Sequence, residues 1–179
     1  MKRLDLVVGP NGSGKTTFVE QRLAPLLPGS VFVNADVIAR ERWPDDPEAH
    51  SYEAARIAST IRETLIEQGE SFVAETVFSH PSKLHQITRA RRSGYVVVLH
   101  VVLVPVDLSV ARVAERVVEG GHFVPEDKIR GRYTRLWALV SAAIGMVDHA
   151  TVYDNSAPDV TRIVARFVDG DHAGSPSSP

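Results

Sequence analysis

The feature that most constrains the fold is a glycine-rich motif near the amino end of the chain. The pattern G-x-x-x-x-G-K-[ST] is met at every position, and with the next threonine it covers Gly9, Pro10, Asn11, Gly12, Ser13, Gly14, Lys15, Thr16 and Thr17. A short apolar run, residues 4–8, precedes the motif, and a helical pattern continues it over residues 17–23. In this strand–loop–helix order the motif predicts an α/β fold that binds a nucleoside triphosphate.

Each residue type of this loop has a mechanical reason. Glycines let the backbone curl until successive N–H groups face one concavity at the start of a helix, where the helix dipole also favours negative charge. We expect Lys15 to reach the β- and γ-phosphates and the Thr16 hydroxyl to ligate Mg²⁺.

The composition is that of an ordinary globular chain. Apolar residues make up 44% of the 179 residues, enough to bury one core, so we expect one domain over residues 1–169. The polar tail, residues 170–179, is rich in Pro and Ser and is expected to be disordered. A net charge of −2 gives no general attraction to nucleic acid or anionic lipid. The chain has no cysteine and no apolar run that could cross a bilayer, so we expect a cytoplasmic protein with no membrane partner.

Strand and helix patterns alternate along the chain. Five apolar runs predict strands at residues 4–8, 31–33, 71–74, 95–104 and 151–153. Helical patterns cover residues 47–68, 82–93, 108–118, 126–149 and 158–167. Because the runs are apolar throughout, they indicate a five-stranded parallel sheet with helices on both faces.

Motifs of other phosphate-loop classes are missing. A GTPase would need an N-K-x-D base-recognition motif, which the chain lacks, and its one D-x-x-G lies in the tail at residues 171–174. An ABC-type ATPase would need a signature motif and an apolar strand that ends in paired carboxylates, whereas the long apolar run ends in Pro105. These absences favour a small kinase.

A kinase needs a group that deprotonates its acceptor hydroxyl, and such groups lie beyond the carboxyl ends of parallel strands. Asp36 follows the second predicted strand, and Glu75 and Thr76 follow the third. Asp36 could instead cap a helix, and Glu75 could be a surface residue at a strand end. Residues 154–156 follow the fifth strand and are interpreted as structural.

A kinase also needs cations to stabilise the transferring phosphate. Arg112 and Arg116 share one face of a predicted helix, and Arg130, Arg132 and Arg135 follow on the next. The link between these helices contains two glycines, which is typical of a mobile lid. A solvated helical face with ordinary surface charge is the alternative.

Together these motifs closely resemble the small zeta-toxin-like kinases, a group sometimes labelled ABC-type ATPases, a label that the exclusions above oppose. The motifs that carry the resemblance are residues 9–17, 34–39, 75–79, 112–117, 120–125, 132–133 and 153–156.

The resemblance implies a P-loop kinase fold with an arginine-bearing helical lid, ATP or GTP with Mg²⁺ as donor, and a small-molecule hydroxyl as acceptor. Zeta toxins phosphorylate UDP-N-acetylglucosamine and are inhibited by an antitoxin protein. By position, Asp36 resembles the catalytic base, Glu75, Thr76 and Arg132 resemble acceptor-site residues, and Arg112 and Arg116 resemble the lid arginines. Leu139 stands where similar proteins often have Asn, which leaves the acceptor open.

Two other functions remain compatible with the sequence. A nucleoside or polynucleotide 5′-hydroxyl kinase would need aromatic platforms for bases, but Trp43, Tyr52, Tyr95 and Trp137 are scattered, so a nucleic-acid partner is disfavoured. A non-catalytic nucleotide-binding partner in a toxin–antitoxin-like complex is the other alternative.

Overall fold

A computed structural model describes residues 1–118, 124–157 and 160–174. This part of the chain forms one seven-stranded sheet, in the order β2-β3-β1-β4-β5-β6-β7. The strands are β1 Arg3–Val8, β2 Val31–Val33, β3 Phe72–Thr76, β4 Val96–Leu103, β5 His149–Ala157, β6 Val160–Val168 and β7 Asp171–His172. Neighbours from β2 to β5 pair in parallel, and β6 and β7 add antiparallel pairs at one edge. The predicted α/β class is confirmed, whereas the predicted count of five strands is wrong.

Six α-helices connect the strands of the described part. They are α1 Lys15–Phe18, α2 Ala35–Arg42, α3 Ser51–Gln68, α4 Ser82–Arg92, α5 Val106–Val118 and α6 Glu126–Ile144. α1 continues into a π-helical turn, Val19–Leu23, and then a 3₁₀ turn, Ala24–Leu26. None of these helices combines the length and apolarity needed to cross a membrane.

The segment predicted as the last helix is instead the strand β6. The prediction covered residues 158–167, of which 158 and 159 lie outside the described residues, and the structure pairs Val160–Val168 antiparallel with β5. Its sequence, VTRIVARFV, places valine and arginine alternately at the even positions. Valine therefore recurs every four residues, a spacing that also fits a helix, whereas the β-branched residues Val160, Thr161, Ile163, Val164 and Val168 favour a strand.

Further boundaries also differ from the sequence predictions. The helix predicted over residues 47–68 begins at Ser51. The helix predicted over residues 126–149 ends at Ile144, and Gly145 follows it as the C-cap. β5 then begins at His149, earlier than predicted. Asp171 and His172, in the segment predicted to be disordered, pair with the end of β6, and residues 175–179 lie outside the described residues.

The sheet is covered on both faces, as its continuous apolar strands predict. One face, which includes Leu6 and Leu99, packs against α3, α4 and α6. The other face, which includes Val7 and Val102, packs against α1 and the turn that continues it. Burial on both faces fixes the strands firmly, so the loops at their carboxyl ends start from a rigid base.

Candidate active site

The glycine-rich loop follows β1 and leads directly into α1. A Cβ added to Gly9 would lie 2.1 Å from the backbone oxygen of Val102 in β4, so this position has no room for a side chain. Gly14 precedes α1 with a φ of 82°, a left-handed conformation that favours glycine. The loop therefore takes its predicted curled form because two of its glycines meet steric demands that other residues would not.

Lys15 lies buried within the loop that it terminates. Its Nζ donates a hydrogen bond to the backbone oxygen of Pro10 at 2.8 Å. Burial lowers the pKa of Lys15, and the carboxylates of Glu75 and Asp36 oppose that shift. The buried Oγ of Ser13 has no hydrogen-bond partner among the described residues. The ammonium of Lys15 thus lies inside the loop, where phosphate oxygens would lie, whereas the Ser13 hydroxyl is fully buried behind it.

Glu75 stands at the end of β3, next to the loop. Its carboxylate accepts hydrogen bonds from Thr16 Oγ1 at 3.0 Å and from Asn34 Nδ2 at 2.7 Å. Burial raises the pKa of Glu75, while Lys15 and the bond from Thr16 offset part of that rise. Glu75, which was predicted to contact the acceptor, is therefore hydrogen-bonded to Thr16 on the side of the site where the phosphates would lie.

Asp36 lies in the first turn of α2, just beyond the end of β2. Asn34, not Asp36, is the N-cap of this helix, because Asn34 Oδ1 accepts hydrogen bonds from the backbone N–H groups of Asp36 at 2.7 Å and Val37 at 3.4 Å. The alternative that Asp36 caps the helix is thus wrong. Its exposed carboxylate makes no hydrogen bond or ion pair with the described part of the chain, and it faces the cleft described next.

A cleft of about 730 Å³ joins these groups, a volume within the usual range of about 300–1,000 Å³ for ligand sites. It lies between the glycine-rich loop and helices α2, α3, α5 and α6. The structure brings most of the predicted site residues to this cleft: Asn11, Gly12, Gly14, Lys15, Thr16, Thr17, Asp36, Glu75, Thr76, Arg112, Arg116 and Arg132. Of the predicted loop residues, Gly9, Pro10 and Ser13 do not line it.

The arginines predicted for a lid have different surroundings. Arg112 donates hydrogen bonds to the backbone oxygens of Asn155 at 3.0 Å and Ser156 at 3.4 Å. Arg116 and Arg132 line the cleft and lie close enough to Lys15 to add to the lowering of its pKa.

The remaining arginines on α6 do not reach the cleft. Arg130 forms ion pairs with Glu126 and Asp107 on the surface, as in the solvated-face alternative. Arg135 is exposed on the same helix and does not line the cleft. Most of the predicted hinge, residues 119–123, lies outside the described residues.

This geometry, a phosphate-binding loop that faces a free carboxylate and two arginines, agrees with the family that the sequence matches. Residues 1–169 match the zeta toxin family. The chain belongs to the zeta toxin family. The family that its motifs predicted is therefore confirmed.

Other similar proteins agree with this membership. A Haemophilus influenzae protein described as uncharacterised is 30% identical over 126 residues, which cover 70% of this chain and 88% of that protein. Among solved structures, the AvrRxo1-ORF1:-ORF2 complex with ATP contains a chain that matches with a TM-score of 0.74 at 18% identity. That match covers 97% of this chain but 60% of the other. The present chain therefore spans about three-fifths of the length of the AvrRxo1 chain that it matches.

A second solved structure comes from the PezAT toxin–antitoxin system of Streptococcus pneumoniae. It matches with a TM-score of 0.69 at 15% identity and covers 93% of this chain and 71% of the other. At such low identities these structural matches establish the fold, which is that of a P-loop kinase.

Several residues at the site were missed by the sequence analysis. Arg40, Lys128, Arg62 and Lys83 also line the cleft. Of these, Arg62 had a visible signal, because it interrupts the apolar stripe of α3 four residues after Ala58.

Asn155 at the end of β5 supports the loop from behind. Its Nδ2 donates to the backbone oxygen of Ser13 at 2.8 Å, and its Oδ1 accepts from Thr161 Oγ1 at 2.8 Å. Asp154 Oδ1 accepts a bond from the backbone N–H of Ser156 at 2.9 Å. These contacts are internal, in line with a structural role for residues 154–156.

Proposed function

We propose that this kinase transfers the γ-phosphate of ATP to a hydroxyl group of a small molecule, with Asp36 as the general base. The observation that carries the proposal is an exposed, unpaired Asp36 carboxylate in the same cleft as Lys15. A base must reach its hydroxyl without being held by a competing partner, and Asp36 meets that condition.

The loop would hold the triphosphate. Lys15, which now donates to Pro10, would donate to the phosphate oxygens instead. Arg116 and Arg132 would stabilise the charge that spreads over the transferring phosphate. The solved AvrRxo1 complex contains ATP, which supports ATP as the donor here.

Thr16 and Glu75 fit a Mg²⁺ site. Mg²⁺ prefers oxygen ligands and needs only one or two protein groups in addition to phosphates and water. The hydroxyl and carboxylate that could supply them are in contact at 3.0 Å, and Asn34 holds the carboxylate in place. When bound, the ion would neutralise phosphate charge.

The transfer step follows from these positions. The acceptor oxygen forms a bond to the γ-phosphorus as its proton passes to Asp36, and the bond from that phosphorus to the β–γ bridging oxygen breaks. ADP then leaves with the phosphorylated product. Positioning and electrostatics supply most of the acceleration, because this chemistry needs little covalent help.

For the acceptor we propose a nucleotide sugar such as UDP-N-acetylglucosamine, the substrate implied by the family. An antitoxin-like protein is the proposed partner, since the two solved relatives come from an ORF1:ORF2 complex and a toxin–antitoxin system.

The test compares Asp36→Asn with Glu41→Gln, an exposed carboxylate on the same helix outside the cleft. Each protein is incubated with γ-labelled ATP and a pool of nucleotide sugars, nucleosides and oligonucleotides. We expect Asp36→Asn to lose about 100-fold or more in turnover, because the general base is removed, with ATP affinity nearly unchanged. Lys15→Ala should lose both turnover and ATP binding, and Glu41→Gln neither.

Other outcomes would redirect the proposal. Turnover of Asp36→Asn within about threefold of the wild type would contradict the base assignment. Label on oligonucleotide ends would favour a polynucleotide kinase, and a stable protein complex without any transfer would favour the non-catalytic alternative.

A further inference from the structure

Two basic side chains stand where the cleft meets a second cavity. This smaller cavity, of about 240 Å³, lies between α3 and α4, and both cavities are lined by Arg62 of α3 and Lys83 of α4. Neither residue belongs to the loop or to the lid arginines described above.

Arg62 is buried without a partner. Only 4% of the residue is exposed to solvent. Among the described residues, its Nε has no hydrogen-bond partner, and no carboxylate lies within 4.0 Å of its guanidinium. An unpaired buried charge is costly, so such a group is retained where a ligand supplies the missing partner.

Other buried charged side chains in the described part of the chain have partners. Asp5 bonds to His100, and Lys15 lies beside Glu75. Arg62 is different from them: Glu63 lines the same cavity and opposes the lowering of its pKa but forms no ion pair with it, and Lys83 adds a second positive charge.

The face of α3 beside Arg62 leaves room for a ligand. Ser51, Ala55, Ala58 and Arg62 follow one another at helical spacing, and all four line the cleft. Because the side chains of Ser51, Ala55 and Ala58 are small, they leave space in the cleft beside α3, and the Arg62 guanidinium lies at the end of that space.

Lys83 reinforces the positive charge at this end. Burial lowers the pKa of Lys83 to about 8, and Arg62 contributes to the lowering. Two like charges therefore lie near each other, and Glu63, the carboxylate of the smaller cavity, forms an ion pair with Arg89 rather than with either of them.

We propose that Arg62 and Lys83 bind an anionic group, a phosphate or a carboxylate, of the molecule whose hydroxyl is phosphorylated. The inference rests on the proposed kinase function and names its substrate class, an anionic hydroxyl compound. Neutral sugars and nucleosides would leave both cations unpaired and would be poor acceptors.

The first test measures anion binding without any transfer. The loop is saturated with Mg²⁺ and a non-hydrolysable ATP analogue, and inorganic phosphate is titrated by calorimetry. We expect Arg62→Met and Lys83→Met to lose about tenfold or more in phosphate affinity. Arg92→Met, the same change at an exposed residue of α4 that lines neither cavity, should bind as the wild type does.

A stability measurement separates ligand binding from a structural role. If Arg62 supports the fold, Arg62→Met will lower the melting temperature of the free protein. We expect an unchanged or higher melting temperature, because the variant removes an unpaired buried cation and keeps an unbranched side chain. Equal phosphate binding by the wild type and Arg62→Met, or no binding by the wild type at about 10 mM phosphate, would overturn the proposal.

The second test uses pairs of acceptors that differ in charge. N-acetylglucosamine is compared with its 1-phosphate, and glucose with gluconate, so the two pairs distinguish phosphate from carboxylate. For the pair containing the right anion, the wild type should prefer the charged member by about tenfold or more in kcat/KM. Arg62→Met should lose that preference through KM, with the KM for ATP unchanged.

The outcomes separate this inference from the proposed function. A charge preference that survives in Arg62→Met, or equal transfer to neutral and charged members, would overturn the anion site. No transfer to any of these acceptors or to any member of the nucleotide-sugar, nucleoside and oligonucleotide pool, together with phosphate binding that depends on Arg62, would contradict the kinase proposal and support the anion site.

Discussion

At the scale of single residues, Asn34 determines how two functional carboxylates are held. Its Nδ2 donates to Glu75, and its Oδ1 accepts from the backbone N–H of Asp36 at the start of α2. Because an amide has one donating and one accepting end, these two bonds fix its orientation. The proposed metal ligand and the proposed base are therefore positioned through the same side chain.

Lys83 gives a prediction for the dependence of stability on pH. Its pKa of about 8 in the folded protein lies below the value of 10.5 for an ordinary lysine, so between these values the unfolded chain binds more protons and stability rises with pH. Other charged or titratable side chains line the same two cavities. In the smaller cavity they are Arg62, Glu63, His85 and Arg89. In the cleft they are Glu48 and His80, with Lys15, Asp36, Arg40, Glu75, Arg112, Arg116, Lys128 and Arg132.

The measurement compares urea unfolding of the wild type and Lys83→Met in phosphate-free buffer. We expect the variant to be more stable near pH 7.5 by about 1–2 kcal/mol, after allowance for partial solvent screening. The difference should shrink as the pH approaches 10. A difference that grows with pH would contradict the lowered pKa.

Some site residues were predictable from sequence and others were not. Lys15 and Thr16 are fixed by the spacing of the motif, and Asp36 follows a strand end, so local patterns are enough to select them. Arg62 and Lys83 lie on different helices, and their shared burial depends on how α3 packs beside α4. Their environment is a property of the tertiary structure, which spacing along the chain does not contain.

At the scale of elements, the start of α1 depends on Gly14. A Cβ there would face Asn155 Nδ2 at 2.6 Å, and the left-handed φ of 82° would strain any other residue. We expect Gly14→Ala to lose about 1–2 kcal/mol of stability and about tenfold or more in ATP affinity, because both the backbone and the Asn155 bond are disturbed.

Gly29→Ala is the matched control for this substitution. Gly29 has a similar φ of 80°, but an added Cβ meets nothing within 4 Å, and the residue does not line the cleft. It should lose comparable stability in urea unfolding while ATP affinity, measured by calorimetry, is kept. Equal ATP affinities in both variants would show that the fit of Gly14 against Asn155 has no part in nucleotide binding.

The parallel strands were predicted well from their apolar runs, whereas β6 was predicted wrongly for a local reason. The continuous apolar runs gave the parallel strands, because burial on both faces needs no alternation. β6 was predicted as a helix because its valines recur every four residues, and its residues are mostly exposed. A strand this exposed has no buried alternating face to mark it, so the expectation that another helix follows β5 was not corrected.

At the scale of the whole molecule, the sheet order brings the site together. β3 and β4 lie on either side of β1, although both come later in the chain. The sequence predicted parallel strands, but not this order, since crossovers between non-adjacent strands leave no local signal. Through the pairing of β1 with β3, Glu75 lies beside the loop that follows β1.

The centre of the sheet contains a buried charge cluster that gives a stability prediction. Asp5 of β1 accepts bonds from Arg3 at 2.6 and 2.7 Å and contacts His100 Nε2 of β4 at 2.9 Å. Burial would raise the pKa of Asp5, but its bonds to His100 and Arg3 outweigh that effect and lower it. This stabilisation is present above the usual carboxyl range and is lost as the pH falls through the lowered pKa.

We expect Asp5→Asn to destabilise the whole fold by about 3–5 kcal/mol at neutral pH, because it removes the buried carboxylate that pairs with Arg3 and contacts His100. Asp107→Asn, which disturbs an exposed ion pair with Arg130, should cost less than about 1 kcal/mol. Urea unfolding measures both. Similar small losses in the two variants would show that the central cluster adds little to the fold.

Among the described residues, the hydrogen bonds that join α5 to the loop and to β5 come from the first part of the helix. Ser109 donates to the backbone oxygen of Asn11, and Arg112 is bonded to the end of β5, whereas Arg116 makes no hydrogen bond or ion pair within residues 1–118, 124–157 and 160–174. A rod fixed near one end pivots about that end, so any tilt of this helix would move Arg116 further than Arg112. In the proposed transfer, Arg112 would stay near the pivot, and Arg116, one turn along, would follow the phosphate from substrate to product.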